Sequence, residues 1–280
     1  MDTTRALPRV VWYYRFMFLI VLLLIVLGLL FGSFVNALVW RLHEKKNWIS
    51  DRSECPHCHH KLGVLDLVPV FSWLFLKGKC RYCHKPIPDS PLVELAVPAL
   101  FVASYLFWPE PFGGTGLASF VVWLVFVVGF VALAVYDLKW MLLPDVIVFP
   151  LIGLAMLYVL GRSVLTGDWS ELVGGLAGAA AISGLFYAIY VVSKGRWIGF
   201  GDVKLAVVLG LLAGDIVSAL LVLFIASLIG TLLSLPLVLT GKAGRKSHLP
   251  FGPMLIAGMV VVMLFGQAII DWYANLVLYA

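Results

Sequence analysis

The sequence predicts an all-α polytopic membrane protein of about eight transmembrane helices, with one small polar segment between the first two. Three observations carry this. Of 280 residues, 62% are hydrophobic and only 12% are charged, about half the charged share of a soluble domain. The mean hydropathy is +1.03. Apolar runs long enough to cross a bilayer recur along the chain, and the pieces between them are short.

The first run covers residues 16–39. It is longer than a signal-peptide core, and no small-residue cleavage site follows it, so it reads as a retained anchor. The expected spans cover about residues 16–40, 91–108, 117–136, 144–161, 172–193, 203–213, 216–240 and 251–278. The sixth is short for a full crossing and is expected to begin inside the protein. Three regions follow: 1–40, a tail and the first helix; 41–90, the polar segment; and 91–280, a seven-helix membrane domain. The small residues of "GGLAGAAAISG" (174–184) suit close approach of helices in a bilayer, a packing role.

Lysine and arginine in the connections set the orientation. The polar segment holds Arg41, Lys45, Lys46, Arg52, Lys61, Lys77, Lys79, Arg81 and Lys85. The second connection, "PEPFGGTG", holds none, and the fourth only Arg162. The third holds Lys139, the fifth Lys194 and Arg196, the sixth none, and the seventh Lys242, Arg245 and Lys246. Odd connections are basic and even ones nearly bare. This pattern outweighs the basic tail (Arg5, Arg9, Arg15) and places the polar segment inside and both termini outside.

Carboxylates at the inner helix ends are the candidate chemistry. Asp202 stands in "GFGDVKLAVVLG" at the inner end of the sixth span, and "VYDLKWMLLPD" puts Asp137 and Asp145 at similar depth. Charge near hydrocarbon is costly, so such groups tend to face a cavity and to be functional. Two carboxylates brought together share a proton, leaving one as base for a water and the other as acid for a carbonyl. Gly199 and Gly201 give the backbone beside Asp202 room for close approach. Bland readings stand beside these: Asp145 as a helix N-terminal carboxylate after Pro144, Asp202 as a cap with Lys204 as counter-charge, and Asp137 paired with Lys139.

The polar segment carries a second pattern. All 4 cysteines of the chain lie there, as two CxxC pairs, Cys55–Cys58 and Cys80–Cys83. Paired knuckles of this kind surround a tetrahedral zinc, and a closed four-thiolate site is structural. A cytoplasmic location makes two disulfides the weaker alternative. His57, His59, His60 and His84 are then expected to face solvent, with no ligand position left for them.

These motifs together resemble the type IV prepilin peptidase family, the GxGD-type membrane aspartic proteases that act as leader peptidase and N-methyltransferase. "GSFVNALVWRL" resembles its first-helix signature, the two CxxC pairs its zinc insert, and "SPLVELAV" the start of its second helix. "YDLKWMLLPD" and "GFGDVKLAVVLG" resemble its two aspartate motifs, and "LPFGP" the start of its last helix. The resemblance implies that Asp137 and Asp202 are the catalytic pair, with Gly199, Gly201, Asp145 and Lys204 in support. It implies cleavage of prepilin or pseudopilin leaders at the cytoplasmic face of a bacterial inner membrane. It also implies methylation of the new N-terminus from S-adenosylmethionine. Glu94 and Lys204 are candidates for contacts with that cofactor, and no nucleotide-type glycine loop supplies others. The chain departs from the family at Asp89-Ser90-Pro91, at Arg196-Trp197-Ile198 and at His43. No nucleic-acid partner is expected, the bilayer is, and oligomeric state is not legible. An ion- or proton-coupled transporter using the same carboxylates, or a membrane scaffold with a zinc-bound docking segment, would fit the isolated features.

Overall fold

The computed structural model describes residues 6–47, 51, 53–87, 91–241 and 250–278, without the side chains of 6–14, 237 and 278. Arg5, Arg52, Asp89, Ser90, Lys242, Arg245, Lys246 and Leu249 lie outside the described residues, as does the Arg9 side chain. The helices among the described residues are α1 (Ala6–His43), α2 (Phe71–Phe75), α3 (Leu92–Leu106), α4 (Thr115–Trp140), α5 (Asp145–Thr166), α6 (Ser170–Ser193), α7 (Phe200–Ala213), α8 (Ile216–Leu239) and α9 (Gly252–Leu278). A 3-10 turn covers Val64–Asp66, and β structure among these residues is limited to two isolated bridges.

Among the described residues, six helices are long and apolar enough to cross a membrane: α1, α4, α5, α6, α8 and α9. The expected count of eight is not reached by that measure, because the second and sixth expected spans are short. α3 has 15 residues and α7 has 14. At ~1.5 Å per residue these rise ~22 and ~21 Å, against a hydrocarbon layer of ~30 Å.

The chain divides into two compact units, Met1–Leu106 and Phe107–Ala280. Composition changes near residue 90, but packing does not, since α3 lies against α1. A Cβ on Gly28 would fall 2.4 Å from Cα of Pro98, and one on Gly32 would fall 2.6 Å from Cα of Glu94. Two glycines four residues apart thus let the helix backbones touch. Val35, Val39, Val97 and Phe101 close this contact, while Phe16, Phe18, Leu19 and Leu23 stay on an exposed apolar face of α1.

In the second unit the short α7 packs against α5, α6, α8 and α9. Leu205, Ala206, Val208 and Leu209 are fully buried. A helix walled by protein does not have to match the bilayer thickness. The glycine-rich part of α6 makes that closeness possible: a Cβ on Gly210 would lie 2.4 Å from Cα of Ala179, and one on Gly174 would lie 2.2 Å from the Gly214 carbonyl oxygen. Trp123, Phe126, Phe130 and Leu133 of α4 and Leu255 and Met259 of α9 fill the remaining core.

Candidate active site

Asp137 sits in the last turn of α4 and is buried, 6% exposed. Its backbone carbonyl accepts the N–H of Met141, whose left-handed conformation (φ 54°) ends the helix. The side chain turns inward, where Oδ2 accepts the backbone N–H of Gly252 at 3.1 Å. That donor is the first residue of α9, so an orphan N–H at a helix N-terminus meets a carboxylate. Lys139 is exposed and lies over the Trp140 ring instead, so the surface pairing of Asp137 with Lys139 is not what holds Asp137.

Asp202 occupies the first turn of α7, and Asp137 and Asp202 lie close enough to feel each other's charge. Its backbone N–H donates to the Gly199 carbonyl at 3.1 Å. Gly199 itself has ordinary extended backbone (φ −78°, ψ 148°) and is exposed. A Cβ there would make only normal contact, 3.5 Å from Oδ2 of Asp202. Gly201 is the tighter position, since a Cβ would approach Cβ of Leu143 to 3.0 Å. Leu143, from the connection between α4 and α5, also faces Gly252, where a Cβ would lie 3.5 Å from its Cδ2. One leucine therefore gauges the distance between the starts of α7 and α9.

Asp145 and Lys204 form an ion pair with each other. Asp145 opens α5, more than half exposed, while the Lys204 chain is mostly covered and its amine lies 5.4 Å from the Phe149 and Phe200 ring centres. Lys204 is thus engaged with Asp145 and not, as the sequence allowed, as the counter-charge of Asp202.

The four cysteines converge. All their sulfurs lie within 4.8 Å of one another, and none is in a disulfide. Cys55 and Cys83 are 3.8 Å apart, and a tetrahedron with ~2.3 Å metal–sulfur bonds has an edge of ~3.8 Å. The two knuckles repeat one construction: the Cys55 N–H donates to His60 O and the Cys80 N–H to Lys85 O. The residue after each second cysteine, His59 (φ 56°) or His84 (φ 58°), is left-handed. Burial alone would raise the Cys55 thiol, but the His57 and Cys58 amides and the neighbouring thiols bring it down to about 7. Cys58 has the His60 amide in its favour, yet desolvation and the three other thiols push it up to about 11. A dication resolves that conflict by accepting all four thiolates. His57, His59, His60 and His84 are all exposed.

Glu94, at the start of α3, accepts the Val70 N–H at 2.6 Å. Val70 is a β-branched residue at φ 62°, ψ −51°, and Phe71 N–H closes a three-residue turn on Pro69 O at 2.6 Å. A carboxylate thus holds a strained turn in place.

Two family models match the chain in order: the bacterial peptidase A24 N-terminal domain over residues 26–108, and the type IV leader peptidase family over residues 124–235. The prepilin leader peptidase/N-methyltransferase of Aeromonas hydrophila is 33% identical, with 90% of this chain and 92% of that protein aligned. This chain belongs to the type IV leader peptidase family. The protein of the same name from Bacillus subtilis (strain 168) is 33% identical over 91% of this chain and 98% of its own length. That from Burkholderia pseudomallei (strain K96243) is 32% identical over 86% and 84%. No solved structure matches. As a leader peptidase family member the chain is a multi-pass membrane protein. The first matched region contains the four cysteines and Glu94; the second contains Asp137, Asp145, Gly199, Gly201, Asp202 and Lys204.

Sequence reasoning did not single out Gly252 or Leu143. The available signal was "PFGP", a glycine between prolines at a helix start. Its partner Asp137 is 115 residues away, which no local pattern reports.

Proposed function

We propose that this chain is a membrane aspartic endopeptidase that removes the leader from type IV prepilins or pseudopilins at the cytoplasmic face of the bacterial inner membrane. N-methylation of the new terminus follows. The reading is carried by two carboxylates from separate helices placed around one leucine: Leu143 lies against Gly252, whose N–H donates to Asp137, and against Gly201, the residue before Asp202, in a chain of the leader peptidase family.

In the reaction, a water between the carboxylates loses a proton to the ionised one. Its oxygen bonds to the scissile carbonyl carbon while the protonated carboxyl gives its proton to the carbonyl oxygen. The tetrahedral intermediate then breaks its C–N bond. The proton taken from water passes to the departing amine, and one hydroxyl proton returns to the carboxylate pair. Gly252 fixes Asp137 by occupying Oδ2, leaving Oδ1 for the water. Exposed Gly199 offers a side-chain-free edge along which an extended substrate approaches Asp202. The Asp145–Lys204 pair ties the starts of α5 and α7 together and so supports the site from one side.

The cysteine cluster holds a structural zinc: a closed set of four thiolates suits that ion and leaves no open position for chemistry. The methyl donor is S-adenosylmethionine, whose cationic sulfur supplies the methyl group. The odd connections carry the lysines and arginines, which supports a cytoplasmic position for the zinc segment and the dyad, next to an anionic leaflet. The family supports peptide cleavage and gives no support to transport.

The deciding experiment is cleavage of a prepilin by the purified protein. Asp137→Asn and Asp202→Asn should each lower the rate on the order of a thousandfold or more while the protein stays folded, since the pair acts as a unit. Wild-type rates in either variant would refute the dyad. Repeating the wild-type reaction with S-adenosylmethionine and weighing the product's N-terminal peptide reads methylation separately.

A further inference from the structure

The polar segment turns apolar side chains outward. Val64, Leu65 and Phe75 are 84%, 73% and 83% exposed, and Phe71 and Leu74 are more than half exposed. Residues 71, 74 and 75 form one stripe of α2, and the 3-10 turn Val64–Asp66 adjoins that helix. The knuckles on either side expose mainly polar groups, His57, His59 and His60 before the patch and Arg81, His84 and Lys85 after it. Charge is sorted in the same way. Asp66 is the one acidic residue between Gly63 and Lys79, and its carboxylate is covered and held by Arg81 at 2.7 Å. Lys77 and Lys79 stand exposed just after α2. This surface therefore presents apolar side chains and cations, with no exposed acid among them.

Large exposed apolar patches mark a protein partner or a membrane, and position decides between the two. The turn before α2 is fixed to α3, because the Val70 N–H donates to Glu94 at 2.6 Å. Glu94 in turn lies against Gly32, where an added Cβ would stand 2.6 Å from the Glu94 Cα. From Gly32, α1 runs on to His43, a further ~16 Å at ~1.5 Å per residue. The patch is thus tethered beside a membrane helix and short of its end. Leu92 and Leu95 continue the exposed apolar surface onto the first turn of α3. Lysine at the border points the same way, since protein interfaces are depleted in it and anionic headgroups attract it.

We propose that residues 64–75 seat the polar segment on the bilayer. Leu65, Phe71, Leu74 and Phe75 enter the boundary between headgroups and acyl chains, and Lys77 and Lys79 meet anionic phospholipid headgroups. Amphipathic elements of this kind lie ~5–10 Å into that boundary. The inference is independent of the reaction that the chain performs. The test uses the full chain in bilayers of phosphatidylethanolamine and phosphatidylglycerol. Photoreactive p-benzoylphenylalanine is placed at Leu65, at Phe75 or, for comparison, at the exposed polar position Lys61. After illumination, mass spectrometry should find phospholipid joined to positions 65 and 75 several-fold more than to position 61. Hydroxyl-radical footprinting of the unsubstituted chain in the same bilayers needs no variant to fold. It should oxidise Phe71 and Phe75 several-fold more slowly than rings 54% and 83% exposed to water. Three results overturn the seat: adducts to this chain's second unit or to an added prepilin instead of lipid, equal lipid labelling at position 61, or oxidation of both phenylalanines at the rate for water-exposed rings.

Discussion

Gly252 shows how much one missing methyl can matter. Its N–H reaches Oδ2 of Asp137 at 3.1 Å, and an added Cβ would stand only 2.6 Å from that same oxygen. Either the carboxylate or the start of α9 must then move. A misplacement of ~1 Å in a catalytic group costs on the order of a hundredfold in rate. Gly252→Ala is therefore expected to lower leader cleavage by about that factor with the protein still assembled in the membrane; steady-state cleavage rates on a prepilin check it, and a wild-type rate would remove Gly252 from the site. Asp145 gives the contrast. It is exposed and paired with Lys204 rather than with the dyad, and exposed pairs contribute little, ~1 kcal/mol or less. Asp145→Asn is expected to lose less than about tenfold in the same assay. A loss as deep as that of Asp202→Asn would mean that Asp145, not Asp137, is the partner.

At the scale of elements, the polar segment has almost no apolar interior. The two buried residues among those described in it, Cys55 and Cys80, are both in the metal cluster. Its regular structure is one 3-10 turn and a five-residue helix, so a metal ion held by the four thiolates would supply the interior that side chains do not. Cys55→Ser is expected to lose bound zinc, measured by atomic absorption, and to open residues 53–87 to protease; strong chelator on the wild type should do the same. Unchanged zinc content in the variant would refute the four-thiolate site. This cluster was readable in the sequence because its ligands repeat at fixed short spacing. α7 was readable as well, as an apolar run too short to span, with Asp202 in its first turn. The place of α3 was not. Hydropathy marks α3 as one more membrane segment, whereas its allegiance to α1 depends on Gly28 and Gly32 admitting the Pro98 and Glu94 backbones, and contacts between distant segments leave no periodic trace. The roles of Lys204 and Gly252 were hidden for the same reason: each is decided by a partner far off in the chain.

For the molecule as a whole, orientation turns on how charges are counted. Arg162, expected from the sequence in the fourth connection, lies in the last turns of α5, and as the one basic residue at that end it stands against an external face. Its guanidinium is half-buried and fully engaged, with Nε and Nη2 each 3.0 Å from the Glu171 carboxylate, Nη1 paired with Glu110, and Nη1 also 3.2 Å from Ser119 Oγ. Two carboxylates offset one cation, so that end of the second unit carries no exposed positive charge from Arg162. The opposite end of α4 and α5 bears Lys139 and the site carboxylates, and Arg196 is exposed just ahead of α7. Orientation follows the overall Lys/Arg bias of the connections, and one arginine at that end is outweighed by the basic residues at the other. The dyad end is accordingly expected to face the cytoplasm. Single cysteines test this with a membrane-impermeant maleimide, the unsubstituted chain serving as background for its four native thiols. Gly113→Cys, at a position with open space around it, should label in intact cells. Arg196→Cys should label only after permeabilisation. The reverse pattern would put Asp137 and Asp202 on the far side of the membrane, out of reach of a prepilin leader still in the cytoplasm.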